Sequence, residues 1–371
     1  MLVANLALKR NKYKHLTDDE WRWFLQQVEG KERTADKLPT FAAIKDWWYP
    51  VRLSCEQCSS ELAARHKASL VSGDTMVDLT GGYGVDTYFL SENFEHTDYV
   101  EQNAELCRIA THNFAHKPIS IHNTSAEEFI ASAGQYDLIY LDPARRDSHG
   151  GKVFRLEDCT PNVIELLPTL LAHGKRLMIK LSPMLDLSQA IRELSLIHRT
   201  SVLRTLSWDI YVVAIKNEVK ELLLLSGGTG QITAIDLDKK DQAFVFTKEE
   251  ESNSVSGLSG AAGLYLYEPN AAILKAGAYK LIAERFNLHK LDVNTHLYVS
   301  ETLIPNFPGR VWQITEKQDL KQANVLTRNY PLMPEQLKKK LHLRDGGTAF
   351  VIGCRVNGKP TLFFAERVTC A

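Results

Sequence analysis

A largely parallel α/β sheet with helices on both faces is the fold the sequence predicts, and three observations predict it. From Val71 to Ser226, β-rich apolar runs alternate with segments of helical period. The first such run, ending at Met76-Val77, passes through the loop Asp78-Leu-Thr-Gly-Gly-Tyr-Gly-Val-Asp86 into a helical segment. A later run, Asp137-Leu-Ile-Tyr-Leu141, ends in Asp142-Pro143. Glycines let the backbone turn sharply and approach a ligand, and in open α/β sheets ligands lie beyond the carboxyl ends of the strands.

The elements follow in order. The first seventy residues read as helical: Thr17-Asp-Asp-Glu20 is a capping-box signature ahead of the stripe Trp21, Trp23, Phe24 and Val28, which is expected to pack on the sheet-bearing body. Cys58-Ser-Ser-Glu61 opens a second helix reaching Leu70, which carries Arg65 and Lys67 as either substrate contacts or solvated charges. Strands are expected at 75–79, 97–101, 118–123, 137–141, 175–181, 203–216 and 219–226, with helices at 85–92, 103–114, 125–132, 160–172 and 187–194. The last two strands form a hairpin through Lys216-Asn-Glu-Val219, which makes one edge strand antiparallel. Residues 227–265 read as connecting strands and linker.

Beyond them, Asn270 caps a helix Ala271–Phe286, followed by strands near 295–300 and 310–315. Pro334 opens a helix to Leu341 carrying Lys338, Lys339 and Lys340. Asn357-Gly358 joins strands Thr348–Val356 and Pro360–Val368 in a hairpin.

Composition narrows the class. At 371 residues, 44% hydrophobic and 24% charged, the chain has the make-up of an ordinary globular protein of two or three domains. No apolar run reaches transmembrane length, and the amino terminus lacks a signal-like core, so a cytoplasmic location is expected. Of six cysteines only Cys55-x-x-Cys58 has suggestive spacing; with no second Cys or His pair nearby, reduced thiols are expected and no metal site. The net charge is −1, yet Lys275–Ala371 carries 15 Lys and Arg against 8 Asp and Glu, leaving 29 against 37 in the first 274 residues. A basic tail on an acidic body suits a tail that holds an anionic polymer and a body that holds a cation; ordinary scatter is the competing explanation.

Spacing selects among cofactors. A dinucleotide loop wants Gly-x-Gly-x-x-Gly, whereas Thr87 stands where its third glycine would fall, and the pattern reads acid-x-small-x-Gly-x-Gly from Asp78. This resembles the first motif of class I S-adenosylmethionine (SAM)-dependent methyltransferases. The resemblance implies a Rossmann-like seven-stranded fold in which the loop Asp78, Thr80, Gly81, Gly82 and Gly84 binds the cofactor. Gly82 and Gly84 would admit the methionine end, and Asp78 would hold its ammonium through water or backbone. Glu101, after Tyr99-Val100, stands where the ribose hydroxyls are expected, two donors suited to one carboxylate. In Asn123-Thr-Ser-Ala126 the family's adenine-binding Asp is replaced by Ser125, whose hydroxyl or a backbone group would take that part.

Asp142-Pro143-Ala144-Arg145-Arg146 is where the chemistry is expected. Asp142 can accept a hydrogen bond from an amine whose lone pair is otherwise delocalised into a ring, and Pro143 stiffens the turn and leaves its carbonyl as a second acceptor. Nucleic-acid amino-methyltransferases have Asp/Asn-Pro-Pro-aromatic here. This chain departs from that pattern, so stacking on a base would fall to a guanidinium or another segment, or Arg145 and Arg146 would clamp a phosphate or carboxylate. The block Val77–Glu157 is also similar to the bacterial small-subunit rRNA guanine-N2 methyltransferase.

Over nearly its whole length the chain resembles a class I methyltransferase family with a C-terminal THUMP-like domain, which shares the Cys-Ser-Ser-Glu helix and the Asp-Pro-Ala-Arg-Arg motif. That resemblance implies an N-terminal helical region (1–70), a methyltransferase domain (71–226), a ferredoxin-like subdomain (266–320) and a THUMP-like domain (321–371). THUMP domains bind tRNA in other methyltransferases, so Lys338, Lys339, Lys340 and Arg344 become candidate phosphate contacts, a solvated helix face being the alternative. Carbon-5 methylation is disfavoured, because Leu181-Ser182-Pro183 stands where one such family has its cysteine nucleophile. The expected function is SAM-dependent methylation of a purine nitrogen in structured RNA, Asp142 being orienter or base. A small-molecule or protein methyltransferase, and a non-catalytic RNA-binding protein on the same fold, remain as alternatives.

Overall fold

The computed structural model describes residues 10–145, 156–198, 207–238, 243–259, 263–317 and 319–368. It falls into two units, one of residues up to Trp208 with Leu223–Gly228, the other of Asp209–Leu222 with the chain from Thr229 onward.

In the first unit, four helices precede the sheet: α1 (Asp18–Thr34), α2 (Pro39–Ala43), α3 (Arg52–Gln57) and α4 (Glu61–Ala68). The capping box at α1 forms as expected: Glu20 N donates to Thr17 Oγ1 at 3.2 Å, and Thr17 N donates to the Glu20 carboxylate at 2.7 Å. Ser60 caps α4 by accepting from Ala63 N. The chain then alternates through β1 (Gly73–Asp78), α5 (Val85–Leu90), β2 (Phe94–Val100), α6 (Ala104–Asn113), β3 (Ile119–His122), α7 (Ala126–Ala131) and β4 (Tyr136–Leu141). A two-residue ladder pairs β5 (Ala144–Arg145) with β6 (Cys159–Thr160), and α8 (Val163–His173), β7 (Gly174–Leu181) and α9 (Leu187–His198) follow.

Strands β7, β4, β1, β2 and β3 lie side by side in that order, all parallel. Helices cover both faces, so the inner strands are apolar without alternation: Met76, Val77, Leu138, Ile139, Leu141, Leu177, Met178 and Ile179 are all buried. Register decides what meets at the carboxyl edge. Asp78 is opposite Tyr99 on one side and Tyr140 on the other, so the glycine loop, Glu101 and Asp142 leave the sheet from neighbouring positions.

The amino-terminal helices join this body through aromatic packing. Phe41 is fully buried, its ring 4.1 Å from Trp47 and stacked at 5.8 Å on Phe89 of α5, while Trp47 Nε1 donates to Tyr83 OH at 2.9 Å. The α1 stripe splits: Trp23 faces Trp48 and lies under the Arg108 guanidinium of α6, but Trp21 and Phe24 pack on Tyr13 instead of the sheet body.

Next along the chain, β8 (Trp208–Ile215) and β9 (Glu218–Ser226) meet across Lys216 and Asn217, both at positive φ, which matches the right-handed twist of a tight hairpin. Residues 203–206 of the expected 203–216 strand lie outside the described residues. β10 (Gln231–Asp236) adds in parallel to β8 and β11 (Phe244–Thr247) antiparallel to β10, so strands continue past the hairpin expected to end the sheet. After α10 (Lys248–Asn253) come β12 (Tyr265–Pro269), α11 (Ala271–Ala276), α12 (Leu281–Arg285), β13 (His289–Asp292) and β14 (Thr295–Ser300). The single helix expected over 271–286 is two helices, because Gly277 at φ 84° closes the first with a left-handed cap.

β15 (Gly309–Thr315), β16 (Asn324–Arg328), α13 (Pro334–Lys340), β17 (Ala349–Val356) and β18 (Lys359–Val368) complete the chain. Seven of these strands form one sheet, ordered β13-β14-β12-β15-β18-β17-β16. Leu266, Leu291, Leu297, Val299, Trp312, Ile352, Cys354, Phe363 and Ala365 form its core. Asn357 and Gly358 make the β17–β18 turn with φ 48° and 79°. Among the described residues no helix is long and apolar enough to cross a membrane, and no three His, Cys, Asp or Glu are grouped to hold a metal ion.

Because Phe41 is enclosed by the Trp47 and Phe89 rings, Phe41→Ala is expected to cost about 3–5 kcal/mol. Denaturant unfolding followed by tryptophan fluorescence should show it as a lowered midpoint; an unchanged midpoint would mean that this cluster does not hold the helices to the sheet.

Candidate functional site

A cavity of about 360 Å³ opens at the carboxyl ends of β1, β2, β3 and β4. Its floor is the glycine loop. Asp78, 1% exposed, accepts from Thr80 N at 2.9 Å and Thr80 Oγ1 at 3.3 Å through one oxygen, and from Thr87 Oγ1 at 2.6 Å through the other. Thr80 Oγ1 in turn accepts from Asp142 N at 2.6 Å, which ties the β1 loop to the turn after β4. Burial pushes the Asp78 carboxyl up to about 7 despite these donors, with the Asp86 and Asp142 carboxylates adding to the rise.

Glycine is required where the loop touches the aromatic layer beneath it. A Cβ on Gly81 would stand 2.2 Å from the Tyr99 ring, and one on Gly84, whose φ is 82°, would stand 2.4 Å from Phe114. Tyr99 OH donates to Gly82 O at 2.6 Å and fixes the loop's height.

Glu101 rises beside the loop just past the end of β2. Its Oε2 accepts from Gly82 N at 2.9 Å and its Oε1 from Asn103 N at 2.8 Å, so the carboxylate is immobilised while each oxygen keeps a lone pair for a second donor. Ser125 also lines the cavity, but its Oγ is engaged as the N-cap of α7, accepting from Glu128 N at 3.1 Å; its hydroxyl proton is what it can offer a ligand.

Asp142 lies at the same edge. Its Oδ2 is paired with the Lys180 ammonium of β7, which leaves Oδ1 as an acceptor, and Ala144, Thr160 and Pro161 line the wall beside it. Pro143 is half-buried in the turn. The side chain of Arg145 and the whole of Arg146 lie outside what is described.

Four contributors have no sequence signal of the usual kind. Lys67 of α4 is fully buried, 3.2 Å from Asp86 Oδ1, and is therefore neither a solvated charge nor a surface substrate contact. Ser59 Oγ and Tyr140 OH both donate to Asp86 Oδ2, at 2.8 and 2.7 Å. Burial raises the Asp86 carboxyl, but Lys67 and then Lys180 outweigh it and hold the group below the usual carboxylate range. Lys180, the fourth, sits on a strand read only as apolar. The inward spacing of Ala63, Ala64, Lys67 and Ala68 on α4 was the one available hint. Ser54, Gln57, Cys58 and Ser59 bring the amino-terminal region into the cavity wall. Burial raises both thiols there, Cys55 to about 12, so neither is a ready thiolate.

Five carboxylates line the cavity, on Asp78, Asp86, Glu101, Glu127 and Asp142, and among the described lining residues there is no lysine or arginine. Lys67 pairs with Asp86 and Lys180 with Asp142, and burial raises Asp78 to about 7, so Glu101 and Glu127 carry the charge the cleft presents; Glu101 and the glycine loop suit a ligand with a diol, as SAM has.

The remaining candidates lie in the second unit. Lys338 is held by Glu335 at 2.9 Å and Asp345 at 2.7 Å, which neutralises its charge within the domain, whereas Lys339, Lys340 and Arg344 are exposed.

Comparison with known proteins gives the following. A family model described as a ferredoxin-like domain matches residues 265–308, and one described as THUMP domain-like matches residues 309–367. The chain is 31% identical to a candidate methyltransferase from Porphyromonas gingivalis W83 of known crystal structure, with a TM-score of 0.84 over 95% of this chain and 92% of that one. Two curated proteins from Mycobacterium tuberculosis strains CDC 1551 and H37Rv, each named as an uncharacterized S-adenosylmethionine-dependent methyltransferase, are 22% identical over 91% of this chain and 94% of their own length.

The raised Asp78 carboxyl predicts a pH effect. Between its unfolded value near 3.8 and its folded value of about 7, the folded protein holds a proton that the unfolded chain releases, so this group's contribution to stability declines as pH rises through that window. The urea-midpoint difference between wild type and Asp78→Asn should move against the wild type from pH 4 to pH 7, and a pH-independent difference would contradict the assignment.

Proposed function

The chain belongs to the class I SAM-dependent methyltransferase family with a carboxyl-terminal THUMP-like domain, and from that premise we propose that it methylates a purine nitrogen of structured RNA. The observation that carries the reading is Asp142, a carboxylate fixed at one oxygen by Lys180 and presented by the other to the same cavity that Glu101 and the glycine loop line. SAM supplies an electrophilic methyl group on a sulfonium, so the protein has to align an acceptor and accept its proton. Asp142 Oδ1 would take the hydrogen bond of the acceptor N–H and so hold the nitrogen's lone pair toward the methyl; the Pro143 carbonyl offers a second acceptor beside it. With Lys180 on the other oxygen, Asp142 serves better as orienter than as a strong base. Glu101 would hold the ribose hydroxyls through the lone pairs left after Gly82 N and Asn103 N.

An RNA acceptor is supported by the THUMP-like segment and by the exposed Lys339, Lys340 and Arg344, which can neutralise phosphates, together with the surplus of basic residues after Lys275. Lys338 is left out of that set, since two carboxylates already hold it.

Tritiated methyl transfer to total RNA should label a discrete species. Asp142→Ala should lower the rate about 100-fold or more while SAM affinity changes little, and Glu101→Ala should weaken SAM binding about tenfold or more. RNA affinity should fall steeply with salt, and Lys339→Ala/Lys340→Ala/Arg344→Ala should flatten that slope. Label entering protein or a small molecule, or RNA binding without salt dependence, would overturn the RNA reading.

A further inference from the structure

In the seven-stranded sheet of the second unit, strand alternation asks for apolar side chains at three positions that carry charge instead. Leu266 of β12 and Trp312 of β15 belong to the core, and Leu326 of β16 packs against it. Two residues away along each strand, on the same face, stand Glu268, Arg310 and Arg328. Register confirms the first two: Glu268 is opposite Arg310 as Leu266 is opposite Trp312. β16 is the edge strand farthest from β13 in the sheet order, yet the sheet curls enough for Arg328 to reach Glu268 and for Asn329 Nδ2 to donate to Thr295 Oγ1 of β14 at 3.3 Å.

Glu268 needs one cation and has two. Arg310 Nε donates to its Oε2 at 2.8 Å, Arg310 Nη2 donates to the same oxygen, and Arg328 Nε donates to Oε1. The carboxylate is 2% exposed, whereas the arginine side chains are 26% and 38% exposed, so a surplus positive charge faces solvent. Arginine stays protonated and cannot shed it. Arg328 Nη1 donates to Thr327 O at 2.8 Å, but Arg328 Nη2 and Arg310 Nη1 have no hydrogen-bond partner among the described residues.

Stability does not account for this arrangement, since an enclosed ion cluster holds a fold no better than apolar side chains of similar volume. What the clamp provides is orientation. With both Nε atoms fixed on one buried carboxylate, two guanidinium planes are pre-organised with donors to spare, which suits the oxygens of a phosphate.

The surroundings select a polymer over a small anion. Arg344 forms an isolated bridge with Gln322, just ahead of β16, and Lys339 and Lys340 end α13 a few residues earlier. Six residues of extended chain, at about 3.3 Å each, put Arg328 roughly 20 Å from that bridge. A single phosphate cannot span the two ends of β16, whereas a phosphodiester backbone can.

We propose that Arg310 and Arg328, clamped on Glu268, form a phosphodiester-binding site, and that structured RNA is held at both ends of β16: by this site at one end, and by Lys339, Lys340 and Arg344 at the other. This rests on the RNA reading above. Glu268 is then a positioning residue, and an acid from the ferredoxin-like segment shapes a contact made by arginines of the THUMP-like one.

Filter binding of end-labelled bulk tRNA and fragmented rRNA to the full chain, between about 50 and 200 mM salt, tests it. Arg328→Gln leaves Arg310 to neutralise Glu268; it should weaken RNA binding about fivefold and lower the slope of log K against log salt by about one, with the thermal midpoint little changed. Arg328→Lys, which keeps the charge and loses the fork, should keep the slope and lose less affinity, a rescue that a purely structural clamp would not show. Lys339→Ala/Lys340→Ala should lower the slope separately, and its loss should add to that of Arg328→Gln. If wild type binds RNA with a steep slope that Arg328→Gln leaves unchanged, the site is overturned and the RNA reading stands. If polyglutamate binds as tightly as RNA and its binding is what Arg328→Gln loses, the site takes an acidic protein and the proposal is likewise overturned. If wild type binds neither RNA pool, both readings fall.

Discussion

The burial of Asp78 is the constraint on which the rest of the site depends. A carboxylate that is 1% exposed must be surrounded by donors, and the donors it has are the loop it precedes and the first turns of α5. Thr80 then carries the constraint across to β4, since the hydroxyl that donates to Asp78 also accepts from Asp142 N. One buried acid thus sets the curvature of the glycine loop and the placement of the proposed acceptor-binding carboxylate together. Tyr99 and Phe114 supply the opposing surface, close enough beneath Gly81 and Gly84 that any side chain there would displace the loop.

A second buried acid, Asp86, does for the amino-terminal region what Asp78 does for the loop. Its ion pair with Lys67 is enclosed and has further donors in Ser59 and Tyr140. Pairs of this kind add little net stability over an apolar equivalent, but removing one partner leaves a buried charge uncompensated at a cost of about 3–5 kcal/mol. The arrangement therefore specifies where α4 sits more than it strengthens the fold, which suits a segment that contributes directly to a ligand cavity. The aromatic packing around Phe41 supplies the non-specific part of the same attachment.

The second unit is organised by sharing. The residues matched as ferredoxin-like and those matched as THUMP-like contribute strands to one seven-stranded sheet, β12 of the former pairing with β15 of the latter. Leu266, Leu291 and Trp312 lie in one core. Glu268, 2% exposed on β12, is clamped by Arg310 of β15 and Arg328 of β16, so an acid of the ferredoxin-like segment is neutralised by two arginines of the THUMP-like one. Family boundaries and folding boundaries need not coincide here.

What the sequence determined by itself is local and periodic. Strand and helix alternation, the caps at Thr17, Ser60 and Asn270, the Lys216-Asn217 and Asn357-Gly358 turns, and the Asp78, Glu101 and Asp142 positions at strand ends were all legible, because each depends on a few consecutive residues or a fixed period. The break at Gly277 was missed, since an isolated glycine inside a helical pattern is tolerated unless tertiary packing asks for a turn. Only the tertiary structure decided that Lys67 is buried against Asp86, that Lys180 holds Asp142, that Lys338 is already paired, and that residues before the sheet wall the cavity. In each case the partner is distant in sequence or the pairing depends on which face of a helix turns inward, and charge pairing across such distances leaves no periodic trace in the chain.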